Sequence, residues 1–65
     1  MSIGEKILKI RKEKKLTQES LAKKLYISRT KLSKIENDTS TINIDLAKRI
    51  CEALDITLDY LVYGK

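Results

Sequence analysis

Arg29, Thr30, Ser33 and Lys34 are spaced so that, in a helix, they share one face. They carry a planar guanidinium, two hydroxyls and an ammonium, which is hydrogen-bonding chemistry without a nucleophile and base in reach of each other. They belong to a twenty-residue pattern, Gln18–Asn37, whose apolar members are Leu21, Leu25, Ile27, Leu32 and Ile35. These five residues are the pegs of a helix crossing, and Ala22 is small where the second helix must pass close to the third. The peg spacing turns Arg29, Thr30, Ser33 and Lys34 towards solvent. A polar helical face of this length suits the major groove of duplex DNA, which admits one α-helix. The same pegs would also build an amphipathic hairpin with no nucleic-acid role, but the basic outer face argues against that reading.

Other chemistries lack their parts. The chain has no His, one Cys and two Gly. A lone Cys does not assemble a zinc site, and no glycine-rich phosphate loop is present. No enzyme activity, cofactor or metal is therefore expected. Three Tyr, with no Phe or Trp, leave few rings on which unpaired RNA bases could stack. Cys51 cannot close an intramolecular disulfide, which points to an intracellular chain, and it reads as a small buried residue on a helix.

The elements that position this face follow from caps and periodicity. Ser2 and Glu5 form a capping-box pattern, and Ile3, Ile7, Leu8 and Ile10 share one face, which predicts a helix from about Ile3 to Lys14. Thr17 is the N-cap candidate before Leu21, Ala22 and Leu25, and Ser28 before Leu32 and Ile35. Only Tyr26 and Ile27 separate those two segments, which is helix-turn-helix spacing. The run Asn37-Asp38-Thr39-Ser40-Thr41 reads as an exposed loop. Asn43 then caps a fourth helix with Asp45 in its first turn and Ala47, Ile50, Cys51 and Leu54 on one stripe. Thr57 and Asp59 open a short last helix containing Leu58, Leu61 and Val62. The expectation is an all-α fold of five helices and no strand.

Sixty-five residues without repeat or linker composition predict one domain, residues 1–65, with no room for a second. Regulation by an inducer would then act through a dimer interface, abundance or a partner. The chain is 42% hydrophobic and 35% charged with no Pro, unlike a disordered segment. No apolar run approaches the ~20 residues of a membrane span, and the start lacks a signal-peptide core, so a cytoplasmic protein is expected. Charge is polarised: residues 1–34 hold eleven Lys/Arg against three Asp/Glu, and residues 35–65 hold three against six. One surface suits a polyanion, although scattered lysines also serve solubility.

On the residues Ile10-Arg11, Leu16-Thr17-Gln18-Glu19-Ser20-Leu21-Ala22, Ile27-Ser28-Arg29 and Lys34-Ile35-Glu36-Asn37, the chain resembles the lambda-repressor-like, Cro-type (XRE) helix-turn-helix family of bacterial and phage transcription regulators. The tail Ala53–Leu61 is similar to that family's last helix. The resemblance implies a compact five-helix DNA-binding domain that binds a palindromic operator as a homodimer. A repressor acting in the bacterial cytoplasm, of phage or mobile-element origin included, is the function implied. A protein-binding module of the same fold, of antirepressor or antitoxin type, is the alternative.

Residue by residue, the resemblance places Arg29, Thr30, Ser33 and Lys34 at base edges. Arg29 suits guanine O6 and N7, and the Thr30 methyl suits thymine. Thr17, Gln18, Ser28, Lys31 and Asn37 fall at phosphate positions, with Thr39, Thr41 and Asn43 as further candidates, and Gln18 would brace Arg29. Arg11 and Glu36 match an ion pair inside the domain, the alternative for Arg11 being a direct phosphate contact. Tyr26 stands where the family commonly has Gly with φ > 0, so the turn is either reshaped or the side chain gains packing or a phosphate contact. Asp38 also replaces a usual Gly, which puts a negative charge near the presumed DNA. Of the apolar tail residues Leu58, Tyr60, Leu61, Val62 and Tyr63, part must close the core, and the surplus is the expected dimer interface.

Overall fold

The computed structural model describes residues 1–64, which form α1 (Ile3–Glu13), α2 (Gln18–Leu25), α3 (Arg29–Glu36), α4 (Ile44–Leu54) and α5 (Leu58–Tyr63). There is no strand among the described residues. Each helix starts at a short polar residue in extended conformation. The side chains of Ser2, Thr17, Ser28, Asn43 and Thr57 accept the amide hydrogens of Glu5, Ser20, Lys31, Leu46 and Tyr60 respectively. Each cap satisfies one of the four amides that a helix start leaves without an intrahelical partner.

The first four helices also end alike. The amides of Leu16, Ile27, Thr39 and Ile56 reach back to the carbonyls of Arg11, Ala22, Lys34 and Cys51. Before each lies a residue with left-handed backbone, Lys15, Tyr26, Asp38 and Asp55, at φ 59, 59, 61 and 56°. This six-to-one closure is the Schellman arrangement. In three of the four it drops an apolar residue, Leu16, Ile27 or Ile56, against the core.

The helix–turn–helix of α2 and α3 packs on α1 through α3 and on α4 through α2, and α5 closes the remaining gap between α1 and α4. Ile7, Leu21, Leu25, Leu32, Ile50, Leu54 and Leu61 are fully buried where these elements meet. Two cations secure the ends of neighbouring helices. Lys6 Nζ donates to the carbonyls of Leu61 and Val62, each at 3.2 Å, and Arg49 Nη1 donates to the carbonyl of Leu25 at 2.9 Å. Both place positive charge at the negative pole of a helix.

The structure corrects two expectations and gives Asp38 a structural role. Ile3 is exposed, and the inward position of the first turn of α1 belongs to Gly4, which is buried. Leu61 is fully buried and Leu58 half-buried against the core, so neither offers a free dimer surface. The exposed apolar side chains of α5 are Tyr60, Val62 and Tyr63. Asp38, itself exposed, turns its carboxylate to the start of α1, where Oδ2 accepts from Ser2 Oγ at 2.6 Å and Oδ1 from the Gly4 amide at 3.2 Å. Its charge serves the positive end of α1 and locks the loop after α3 to it.

Gly4 is required by this close approach. A Cβ there would overlap the carbonyl oxygen of Ile35 and lie 2.8 Å from that of Glu36 and 2.6 Å from Asp38 Oδ1. Two of the three obstacles are backbone, so α1 must move away from α3. Gly4→Ala is expected to destabilise the domain by about 1–3 kcal/mol, although Ala is the better helix former. A lower urea midpoint with unchanged m-value checks this; an unchanged or raised midpoint contradicts it.

Candidate nucleic-acid interface

Helix α3 presents its site because its other side is committed. Leu32, Ile35 and Glu36 are buried, and this leaves Arg29, Thr30 and Lys34 exposed and Ser33 half-buried along the opposite face. Gln18, at the start of α2, joins these four in lining a shallow open groove. Thr17 lies in an adjoining groove with Gln18 and Arg29. The five residues assigned to base reading and bracing are thus brought together on one surface.

Behind that surface lies a polar network. Arg11 Nε donates to Glu36 Oε2 at 2.7 Å and Arg11 Nη2 to Oε1 at 3.2 Å, with both residues more than nine-tenths buried. The remaining edge of the guanidinium donates from Nη1 to the Leu16 carbonyl at 2.8 Å. Gln18 Nε2 donates to Glu36 Oε1 at 2.9 Å, and Gln18 Oε1 accepts from Arg29 Nε at 3.5 Å. Among the described residues, no buried side-chain nitrogen or oxygen lacks a partner. That full satisfaction is what makes a buried ion pair tolerable in a small core.

The residues given phosphate roles are less uniform. Thr17, Ser28 and Asn43 use their side-chain oxygens as helix caps, which leaves the hydroxyl hydrogens of Thr17 and Ser28 the donors to consider. Thr17 Oγ1 also lies 3.2 Å from Ser20 Oγ. Lys31 Nζ is 2.8 Å from Ser40 Oγ, bent towards the loop, and Thr39 Oγ1 donates to the Lys34 carbonyl at 3.1 Å. Asn37 caps the end of α3 and is exposed. Of the residues given phosphate roles, only Thr17 and Gln18 line these grooves; Ser28, Lys31, Asn37, Thr39, Thr41 and Asn43 line neither.

Tyr26 settles one of the alternatives raised by the sequence. Its backbone is left-handed, at φ 59 and ψ 38, so the turn keeps the geometry that usually calls for Gly. The residue is 85% exposed, so packing within the chain is not what offsets the strain. Cys51 is buried on α4, and burial pushes its thiol up from the ordinary range, away from the reactive thiolate. Sequence reasoning missed Gly4, Lys6 and Arg49 as structural residues. Only Gly4 carried a signal, being a glycine in a helical first turn without a turn to explain it.

This fold and this grooved helix face define a helix-turn-helix domain of the kind found in phage repressors. The chain belongs to the XRE-type helix-turn-helix family, whose profile matches residues 7–61. Across its full 65 residues it is 40% identical to the HTH-type transcriptional activator BcrR of Enterococcus faecalis, covering 32% of that protein. It is 39% identical over 62 residues to the immunity repressor protein of Bacillus phage phi105, which amounts to 95% of this chain and 43% of the relative. The chain therefore spans less than half the length of these curated relatives. The fold superposes on the P22 c2 repressor, solved in complex with the synthetic operator 9T, with a TM-score of 0.92 and 29% identity over 100% of this chain and 98% of that one. These family and structural neighbours are transcription regulators and not enzymes. No described helix is long and apolar enough to cross a membrane.

The network makes the Arg11–Glu36 pair a structural element. Removing either partner alone strands a buried charge and is expected to cost about 3–5 kcal/mol. A double-mutant cycle with Arg11→Met and Glu36→Leu, read by chemical unfolding, should give a strongly non-additive result, the double variant being far less destabilised than the sum. Additivity within about 0.5 kcal/mol would mean that the two residues act independently.

Proposed function

We propose that this domain reads duplex DNA sequence-specifically as the operator-binding part of a transcriptional repressor in the bacterial cytoplasm. The observation that carries the reading is the groove lined by Gln18, Arg29, Thr30, Ser33 and Lys34 on the outer face of α3. Every side chain in it has a hydrogen-bonding group, and α3 needs that face for nothing else in the fold. Arg29, exposed with its Nε against Gln18, offers a guanidinium fork to guanine O6 and N7. Thr30 supplies a methyl group for thymine, Lys34 reaches guanine or a phosphate, and Ser33 is short enough to fit beside any base. The amide-rich starts of α2 and α3, with Thr17 and Ser28, suit the flanking phosphates.

The domain acts as a homodimer on a palindrome in this reading. One recognition helix covers few base pairs, and phosphate contacts alone give only weak binding of roughly 10⁻⁴–10⁻⁶ M. Two copies about a two-fold axis would meet half-sites about 34–36 Å apart. Tyr60, Val62 and Tyr63 are the exposed apolar side chains of α5 and support the interface there. The patch is small, so DNA completes the dimer by mass action.

Duplexes selected from a random library should give one palindromic site, bound in a salt-sensitive manner. Unselective, salt-insensitive behaviour would favour a protein-binding module instead. Arg29→Ala is expected to cost about 1–3 kcal/mol on the selected site and to relax preference at one base pair; unchanged discrimination in competition binding would remove Arg29 from base reading. On the full palindrome, sedimentation should find two copies at saturation. Tyr63→Asp should weaken cooperative occupancy while the monomer stays helical by circular dichroism, and one copy per full site in the wild type would rule out the dimer.

A further inference from the structure

Gln18 stands between an anion and a cation. Its Nε2 donates to Glu36 Oε1 at 2.9 Å, while its Oε1 accepts from Arg29 Nε at 3.5 Å. An ionised carboxylate only accepts and a guanidinium only donates. Reversing the amide would therefore set oxygen against oxygen on one side and N–H against N–H on the other. The direction of the Gln18 amide is fixed by what lies behind it. Glu36 is itself buried and held by Arg11 through two hydrogen bonds.

We infer that Glu36 is a positioning residue for base recognition: acting through Gln18, it presents to Arg29 a carbonyl oxygen that holds Nε and leaves both Nη groups to face a base. This rests on the reading of α3 as the DNA-reading helix. A guanidinium held along its Nε edge aims its Nη1–Nη2 edge outward, and two parallel donors match guanine O6 and N7 better than any other base edge in the major groove. Released from Gln18, the long Arg29 side chain samples many rotamers and meets phosphates as readily as bases. Glu36 thus contributes to selectivity at a base pair it does not touch, and Arg11 contributes by holding Glu36.

The decisive comparison uses four duplexes that differ only at the base pair assigned to Arg29, with competition binding measured at a temperature where circular dichroism shows each variant folded. Glu36→Gln keeps the shape but lets a neutral amide present either end to Gln18. Its preference for guanine is expected to fall roughly three- to tenfold, a fraction of what a bidentate pair contributes. Preferences at other positions should hold, and the change should vanish in an Arg29→Ala background. Gln18→Met breaks the relay with the Arg11–Glu36 pair in place, so it decides the question should Glu36→Gln not fold. The same selective loss is expected of it. A uniform loss of affinity for all four duplexes would give Glu36 and Gln18 a merely structural role and overturn the inference, as would wild-type preference in Gln18→Met. A wild type that discriminates among no duplexes would instead overturn the DNA-reading proposal itself.

Discussion

The buried contact between Arg11 and Glu36 is the constraint on which the arrangement of the first three helices depends. Arg11 lies in the last turn of α1 and Glu36 ends α3, and both are more than nine-tenths buried. Two charges in that setting have one acceptable geometry, the one in which every donor and acceptor is met. Arg11 meets Glu36 with Nε and Nη2, and its Nη1 binds the Leu16 carbonyl in the link to α2. Gln18 brings the start of α2 onto the same carboxylate. Apolar pegs alone would let α1, α2 and α3 slide by small amounts at little cost, since hydrophobic contact has no direction. The polar network removes that freedom. At the far end of α1, Gly4 and Asp38 do the same through a backbone approach that allows no side chain and a carboxylate that bridges the two elements.

The four links between successive helices turn without glycine, which caps only the end of α5, at Gly64. Lys15, Tyr26, Asp38 and Asp55 are all left-handed, although each carries a Cβ that disfavours this by about 1–2 kcal/mol. For a domain of this size such costs are a sizeable part of net stability. What offsets them is cooperative. Each left-handed residue allows a six-to-one backbone bond, and Leu16, Ile27 and Ile56 are thereby laid against the core. Tyr26 is kept left-handed by its neighbour: Ile27 packs on the core only if Tyr26 turns the chain.

Which features were legible in the sequence follows from how local their causes are. The five caps, Ser2, Thr17, Ser28, Asn43 and Thr57, could be read because a cap lies three residues from the amide it serves. The outward face of α3 could be read because the pegs Leu32 and Ile35 define its opposite. Gly4 and Asp38 could not, since their meaning lies in each other, 34 residues apart. The loop charge on Asp38 looked like a liability for an anionic partner until its partner in α1 was known. Leu61 was misplaced for a related reason. In a helix as short as Leu58–Tyr63, periodicity does not separate the residue that plugs the core from its exposed neighbours Tyr60 and Val62. The pairing of Arg11 with Glu36 was legible only through family resemblance, as nothing in the spacing of 25 residues links them.

The same long-range contacts change what the charge of the chain means. Residues 1–34 hold eleven basic side chains, and counted by sequence they look like one broad cationic surface. Arg11 is buried in its ion pair, Lys6 binds the end of α5, and Lys31 leans on Ser40. Lys23 lies 3.7 Å from Glu19 across one turn of α2, an exposed contact of little energetic weight. A count of basic residues therefore overstates the free positive charge near α3. In the proposed reading of α3, selectivity then rests on the few side chains that are both exposed and directed. Arg29 is the clearest of these, because its Nε faces a neutral acceptor whose direction the buried carboxylate of Glu36 fixes. On that proposal, one polar network both holds the first three helices together and aims Arg29.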